Sequence, residues 1–352
     1  METPATTKLK ILTGTYTGDG SEGVYLLTFD PDSGTISNDG LVASCQSPAF
    51  IAVSKDNKFI YTANETDSSF ISAYQWDDEN NQMNLLNTQP TGGAWACYIH
   101  VNRERNLVAV SNYGTGNILF YPVNVDGSIA GEPTISQHVG SGPHQNQKGP
   151  HAHCIRFRDE DHRAFAVDLG IDQILTYPID EEGNVGEFST AIILEGGDGP
   201  RHLTFHPNGQ YAYVVNELSS SVVAMSYDPD TGLMETINRS STLPEDFEGE
   251  NHCADIHITD DGRFLYASNR GHNSIAMFSV AADGSITFLG TESVLGDWPR
   301  NFTLTPDNGH LIVANQRSGN VVVFDRDEDT GLLNFTGNQL SMSQPVCLMF
   351  FN

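Results

Sequence analysis

Arginines are the residues of this sequence whose type and spacing most clearly indicate chemistry. The chain of 352 residues carries 45 acidic residues against 17 Lys and Arg, for a formal net charge of −28, and only 12 residues are arginines. Arg201 and Arg300 nevertheless share one position of an internal repeat with His153. Arg270 shares a second position with Glu217. Because guanidinium pairs bidentately with phosphate or carboxylate, this pattern predicts a site for a doubly anionic small molecule.

The same charged residues could instead form salt bridges that lock neighbouring repeat units together. Glu217 would suit either role, since it could bind an arginine or take part in chemistry. Structural positions of a repeat carry the same residue type in every copy, and these positions do not. That irregularity favours the binding site.

The repeat that positions these residues has a period of about 50 residues. Its register is marked by an Asn or Asp near the middle of each copy, at Asn64, Asn112, Asp168, Asn216, Asn269 and Asn315. Apolar and polar residues alternate with period two, as in 211–215 and 221–227, and turn sequences separate the runs. Such alternation predicts β-strands, and four-stranded units of this length are typical propeller blades.

Six complete copies and two partial ones predict an all-β, seven-bladed β-propeller of four-stranded antiparallel blades. The C-terminal strand is expected to join the N-terminal blade, because closing the ring removes two open sheet edges. We expect a single domain over 1–352, with blades at approximately 9–46 plus 344–352, 47–93, 94–148, 149–197, 198–250, 251–296 and 297–343.

Blade topology predicts where the charged residues meet. The start of strand one and the end of strand two lie on the same face of a propeller, next to the central channel. The start of strand one carries His153, Arg201 and Arg300, and in the other blades Ala49, Cys97, Ala254 and Val346. The residue after the marker is Tyr16, Glu65, Tyr113, Leu169, Glu217, Arg270 or Gln316. The sequence therefore predicts one channel mouth that contains the arginines, the histidine and the glutamate.

Composition excludes several other classes of partner. A net charge of −28 repels phosphate backbones and anionic lipid, so we expect no nucleic acid and no membrane partner. No apolar run approaches the ~18 residues of a membrane span. The first ten residues lack a hydrophobic signal core, which predicts a cytoplasmic protein and leaves a removed export signal possible. We expect a monomer or a weak homo-oligomer.

Metal and cofactor sites are not expected. His151 and His153 could form a metal pair, but no Asp, Glu or His at ligand spacing completes it. The five cysteines are spread singly, with no CxxC spacing, and are expected to be small buried hydrophobes. The sequence also lacks a GxSxG motif and a phosphate-binding loop with its lysine.

Several strings in the sequence resemble a known family over essentially the whole chain. They are GPHAH from Gly149, GPRHLTFHPNG from Gly199, YAYVVNE from Tyr211, GRFLYASNRGHNSIAMF from Gly262 and PRNFTLTPDNGHLIVANQ from Pro299. The sequence resembles the seven-bladed β-propeller lactonase family. Within that family it is most similar to the propeller-type 6-phosphogluconolactonases and more distantly to the carboxymuconate-lactonising enzyme.

The resemblance implies an active site of one histidine, two arginines and one glutamate. These roles fall here on His153, Arg201, Arg270 and Glu217. Additional substrate-binding residues implied by the resemblance are Arg300, His151, Asn269 and His272. The implied activity is metal-independent hydrolysis of 6-phospho-D-glucono-1,5-lactone to 6-phosphogluconate, a reaction of the pentose phosphate pathway.

The roles of the individual residues stay open at this stage. One or two of Arg201, Arg270 and Arg300 would bind the phosphate, and another would stabilise the oxyanion. His153 and Glu217 compete as the general base. Neighbouring arginines weaken a carboxylate as a base, whereas an imidazole titrates near neutrality, so His153 is favoured.

Two other functions fit the same residues. One is a lactonase or lactonising cycloisomerase that acts on another anionic lactone, such as a muconolactone. The other is a non-catalytic binding propeller, because a fold does not determine a function.

Overall fold

The computed structural model describes residues 7–103 and 106–351, and these form seven four-stranded antiparallel sheets arranged as a ring. The predicted all-β seven-bladed propeller is therefore confirmed. The only helical segment in the described residues is a 3₁₀ turn at Asp159–Asp161. None of the described helical residues forms a segment long and apolar enough to cross a membrane.

The first three blades in chain order contain the following strands. Blade 1 has β1 (Leu9–Thr15), β2 (Gly23–Asp30), β3 (Thr35–Ser44) and the C-terminal β28 (Pro345–Phe351). Blade 2 has β4 (Pro48–Val53), β5 (Phe59–Asn64), β6 (Phe70–Asp77) and β7 (Gln82–Pro90). Blade 3 has β8 (Ala96–Val101), β9 (Leu107–Asn112), β10 (Asn117–Pro122) and β11 (Thr134–Gln137).

The remaining four blades follow the same pattern. Blade 4 has β12 (Ala152–Arg158), β13 (Arg163–Asp168), β14 (Gln173–Pro178) and β15 (Ser189–Ile193). Blade 5 has β16 (Pro200–Phe205), β17 (Tyr211–Asn216), β18 (Ser221–Tyr227) and β19 (Met234–Ser241). Blade 6 has β20 (His252–Ile258), β21 (Phe264–Arg270), β22 (Ser274–Val280) and β23 (Ile286–Ser293). Blade 7 has β24 (Pro299–Leu304), β25 (His310–Asn315), β26 (Asn320–Arg326) and β27 (Leu333–Ser341).

The ring is closed by the C-terminal strand. Strand β28 pairs antiparallel with β1, from Lys10 opposite Phe351 to Thr15 opposite Pro345. It is the innermost strand of blade 1 and completes a circle of seven inner strands that contact one another in turn. This pairing removes the two open edges that a linear array of blades would leave.

Apolar side chains pack between the faces of adjacent blades. Phe165 of blade 4, for example, lies edge-on to Phe205 and Tyr227 of blade 5, with ring centroids 5.2 and 5.5 Å apart. Burying one large apolar side chain contributes roughly 1.5–3 kcal/mol, so these interfaces hold the blades at fixed angles. The channel-lining residues are thereby positioned by a rigid scaffold.

A β-bulge marks the start of strand one in the described blades. Pairing between strands one and two skips a single residue at Ala49, Cys97, His153, Arg201, Arg300 and Val346, and skips Ala254 and Asp255 in blade 6. A bulge leaves the extra residue unpaired and changes the direction of its side chain. The fold therefore places its irregular residue at the position where the sequence carries the candidate histidine and arginines.

Candidate active site

The two predicted sets of site residues lie side by side at one mouth of the channel. The residue after strand two donates its backbone N–H to the residue that precedes strand one of the same blade. In blade 5 the Glu217 amide binds the Gly199 carbonyl at 2.7 Å, and in blade 2 the Glu65 amide binds the Ser47 carbonyl at 2.9 Å. The backbone therefore holds the end of strand two against the start of strand one.

Glu217 joins two of the predicted arginines. Its Oε2 lies 3.0 Å from Nε of Arg201 and 2.7 Å from Nη2 of Arg270. Arg201 comes from the β16 bulge of blade 5, and Arg270 ends β21 of blade 6. The side chain of Glu217 is 16 % exposed, whereas that of Arg201 is 2 % exposed. A partly accessible carboxylate between two arginines therefore lies at the channel mouth.

Electrostatics keep Glu217 and Arg201 charged at neutral pH. Burial raises the pKa of Glu217, but Arg270 and Arg201 lower it more, so that its pKa lies below the usual value for glutamate. Burial and the neighbouring Arg270 and Arg300 lower the pKa of Arg201 to about 10. Arg201 therefore stays protonated, and Glu217 stays ionised.

The third arginine forms a second cluster on the other side of the mouth. Nη2 of Arg300 in blade 7 lies 3.4 Å from Oε2 of Glu65 in blade 2, which also accepts a 2.7 Å hydrogen bond from the Tyr16 hydroxyl. The guanidinium carbon of Arg300 is 5.2 Å from the Tyr16 ring centroid. Burial lowers the pKa of Arg300, but Tyr16 and Glu65 raise it above its usual value. Arg300 therefore remains a fixed cation.

Tyr16 and Glu65 were not predicted as site residues, although a sequence signal for them existed. Both follow the marker position, as Glu217 does. The alignment placed them at the mouth, but a single sequence did not show that Arg300 would pair with a residue two blades away. That contact depends on the width of the channel.

His153 is buried between aromatic rings and a thiol. Its ring lies 5.3 Å from Tyr113 and 5.4 Å from His202, both edge-on, and Nδ1 lies 3.6 Å from Sγ of Cys97. Burial, with the positive charge of Arg201, holds the pKa of His153 well below its usual value. The imidazole is therefore neutral at pH 7 and has a lone pair to accept a proton.

His151 lies next to His153 but in a different environment. Its ring stacks on Tyr113 at 4.5 Å, and its Nδ1 lies 2.8 Å from the Tyr113 carbonyl oxygen. The bulge between Ala152 and Cys154 breaks the regular alternation that would place both imidazoles on one side of the strand. No group of three or more His, Cys, Asp or Glu side chains suited to a metal ion occurs within residues 7–103 and 106–351.

The side chain of Asn269 makes hydrogen bonds that hold the fold together. It is fully buried, and its amide donates to the Thr242 carbonyl at 2.9 Å and accepts from Asn251 at 3.1 Å. The marker residues Asn64 and Asn315 donate in the same way to the loop that precedes their blade's first strand. The substrate contact predicted for Asn269 stays a prediction, and it would be made by an amide that already joins the blade to that loop.

His272 also lies apart from the arginine clusters. Its Nδ1 is 2.7 Å from Oγ of Ser274, and its ring packs edge-on against Phe247 at 4.7 Å. Burial lowers its pKa from the usual histidine value. These contacts belong to the loop over blade 6 and do not include the arginines or Glu217.

A buried polar network lies directly beneath Arg201. Nη1 of Arg201 is 3.1 Å from Nε2 of His202, whose Nδ1 is 2.7 Å from Oδ1 of Asp255. An arginine can only donate, so Nε2 of His202 accepts and its proton lies on Nδ1. The same carboxylate is 3.0 Å from Nε2 of His257 and accepts from Asn301. This network was not predicted, although Asp255 sits next to the bulge position of blade 6.

The fold and the site together define a β-propeller with a cationic, partly neutralised channel mouth. Comparison with known proteins places it more closely: residues 10–350 match the family Lactonase, 7-bladed beta-propeller. The chain belongs to the seven-bladed β-propeller lactonase family.

Individual relatives cover nearly the whole chain. It is 38 % identical over 341 residues to the 6-phosphogluconolactonase of Bacillus subtilis, covering 96 % of this chain and 97 % of the relative. Among solved structures, a Lactobacillus plantarum protein is 35 % identical with a TM-score of 0.92, covering 98 % and 100 % of the two chains. The periplasmic gluconolactonase PpgL of Pseudomonas aeruginosa is 27 % identical with a TM-score of 0.93, covering 98 % and 99 %. The predicted family is thus confirmed.

Proposed function

We propose that this protein hydrolyses 6-phospho-D-glucono-1,5-lactone to 6-phosphogluconate, as in the pentose phosphate pathway. The observation that carries the proposal is the single carboxylate oxygen of Glu217 held between Arg201 and Arg270 at the channel mouth. The similarity to the Bacillus 6-phosphogluconolactonase supports this substrate. Because phosphorylated sugars are charged and do not cross membranes unaided, we also propose a cytoplasmic location.

His153 is suited to be the general base. Its Nδ1 faces the Cys97 thiol, and no hydrogen bond engages its Nε2 in the described part of the chain, so an attacking water would bind at Nε2. Nδ1 can carry the ring proton, because the Cys97 thiol has its own acceptor in the His153 carbonyl at 3.5 Å. An imidazole in this tautomer can accept a proton from an attacking water.

The arginines are suited to stabilise the charge that this attack creates. The water oxygen bonds to the lactone carbonyl carbon, its proton passes to His153, and the carbonyl electrons form an oxyanion. Arg201 or Arg270 stabilises that oxyanion, while Glu217 fixes the orientation of both guanidiniums. Collapse breaks the bond to the ring oxygen, which takes up the proton, and the carboxylic acid then ionises.

The proposal is tested by steady-state kinetics on the phosphorylated and the unphosphorylated glucono-1,5-lactone. Spontaneous hydrolysis is subtracted, and each assay is repeated with a chelator. We expect a higher kcat/KM for the phosphorylated lactone and no effect of the chelator. Equal values for the two substrates, or loss of activity on chelation, would contradict the proposal.

Unphosphorylated gluconolactone is the second candidate substrate. The structural likeness to the Pseudomonas gluconolactonase favours it, since the two folds superpose over almost their whole length. The same assay separates the candidates, because this alternative predicts the higher kcat/KM for the lactone without phosphate. A muconolactone would be tested in parallel as a substrate that carries carboxylates instead.

A further inference from the structure

The indole of Trp298 connects the Glu217 cluster to another arginine at the rim. The guanidinium carbon of Arg270 lies 5.1 Å from the Trp298 ring centroid, and that of Arg317 lies 3.4 Å from it. We propose that Arg317, held on Trp298, binds the phosphate group of the substrate while the lactone ring lies inward near Arg270. This inference rests on the proposed function and assigns its phosphate specificity to a residue outside the predicted site.

Backbone contacts place Trp298 and Arg317 on the mouth face. Trp298 immediately precedes β24, and its carbonyl accepts the amide of Gln316 at 3.0 Å, as in the other blades. The Arg317 amide in turn donates to the Asp297 carbonyl at 3.1 Å. Arg317 is exposed and Trp298 is half-buried, so the arginine lies at the solvent side of the site.

Arg317 differs from the inner arginines in its partners. Arg201 and Arg270 share Glu217, and Arg300 pairs with Glu65. Arg317 has no carboxylate oxygen within 4 Å in the ranges 7–103 and 106–351. The N–H donors along the edge of a stacked guanidinium that lacks a counter-ion remain free to bind an anion in bidentate fashion.

The charges of the inner ion pairs also favour a further cation for a phosphorylated substrate. Three inner arginines and two glutamates leave one net positive charge. A phosphate monoester carries about −1.5 to −2 at neutral pH. Arg317 supplies the second positive charge that a doubly charged substrate needs.

Two buried polar atoms of residues that neighbour Trp298 lack a hydrogen-bond partner in the described part of the chain. The ring of His252 lies 6.1 Å from that of Trp298, and its Nδ1 has no hydrogen-bond partner among the described residues. The Oε1 of Gln316 is likewise buried and unpartnered in that part of the chain. Buried polar groups are normally satisfied, and sugar hydroxyls would satisfy both atoms.

The test compares Arg317→Ala with Arg263→Ala. Arg263 is also an exposed arginine, but it lies in the turn before β21, on the opposite face. Because a charge-assisted hydrogen bond is lost, we expect Arg317→Ala to raise the KM for the phosphorylated lactone about tenfold or more, with kcat unchanged. Kinetics on the unphosphorylated lactone should not change, and Arg263→Ala should resemble wild type on both. Arg317→Lys should fall between, since it keeps the charge but loses the planar pair of donors.

Each other outcome has a defined meaning. An unchanged KM, or an equal loss on both lactones, would overturn the role of Arg317 while leaving the proposed function intact. If wild type hydrolyses neither lactone, the proposed function fails. Binding of inorganic phosphate, followed by tryptophan fluorescence, then tests Arg317 separately. Quenching that Arg317→Ala abolishes would support the anion site, and identical titrations of the two proteins would overturn it.

Discussion

Two polar networks at the channel differ in how completely their polar atoms are hydrogen-bonded. The upper network is the cluster of Arg201, Glu217 and Arg270 with the nearby His252, and the lower network is the cluster of His202, Asp255, His257 and Asn301 beneath Arg201. In the upper network, Nε of Arg201 lies 3.0 Å from Glu217 but is not aligned for a hydrogen bond, and the nearby Nδ1 of His252 is unpartnered among the described residues. In the lower network, both oxygens of Asp255 are hydrogen-bonded, to His202, the Ile256 amide and others.

The difference separates a binding site from its scaffold. A buried polar group without a hydrogen-bond partner lowers the free energy of unfolding by roughly 1–3 kcal/mol. Such groups are therefore expected mainly where a ligand supplies the missing partner. A fully bonded carboxylate such as Asp255 instead fixes its neighbours. We therefore expect substitutions in the upper network to change activity and substitutions in the lower network to change stability.

The largest effect is expected for Glu217→Gln, which removes the charge that holds Arg201 and Arg270 together. Without it the two guanidiniums repel each other and lose their orientation toward the oxyanion, so kcat should fall by about two orders of magnitude. Glu65→Gln, in the second cluster, is the matched control and should lower kcat much less. Steady-state kinetics of both variants check this, and equal losses would show that Glu217 has no special role.

Asp255→Asn should act mainly on stability. Oδ1 of Asp255 accepts from the Ile256 amide and Oδ2 accepts from Asn301, so an asparagine NH₂ in either place would face a donor and leave buried groups unsatisfied. We expect the free energy of unfolding to fall by about 3 kcal/mol. Urea unfolding followed by fluorescence measures this, and kcat per folded molecule should fall less than for Glu217→Gln. The reverse ranking would refute the separation of the two networks.

The lower network also predicts how stability depends on pH. Burial and Arg201 lower the pKa of His202 to about 4, whereas the unfolded chain titrates near 6.5. The unfolded state thus binds more protons than the folded state between these two pH values. The stability that neutral His202 contributes is therefore complete above pH 6.5 and is lost as the pH falls toward 4. The slope is about 1.4 kcal/mol per pH unit for this residue. Urea unfolding at pH 7.5, 6 and 5 should show it, and His202→Gln should remove that share of the slope.

The sequence predicted most of this geometry because the copies of the repeat align with one another, and the alignment gives each residue a position in its blade. Alternation and the marker residues fix the strands, and blade topology then brings Arg201 and Glu217 to one face. It did not predict Asp255, because a bulge that skips two residues in blade 6 cannot be read from alternation. For Asn269, the family resemblance implies a substrate contact but could not show that the amide also donates to a backbone carbonyl.

The smallest expected effect is a flat pH profile of kcat between pH 8 and 6. A general base must be unprotonated, so activity falls as the pH drops through its pKa. The pKa of His153 is held well below its usual value by burial and Arg201, and that of Glu217 is lowered by Arg270 and Arg201 despite its burial. Whichever group is the base, the fall of kcat on the acid side of the profile lies below the ordinary histidine range.

The profile is measured on kcat because the substrate phosphate itself titrates near pH 6 and would change KM. A limb near pH 6.5 would show that neither His153 nor Glu217 is the base.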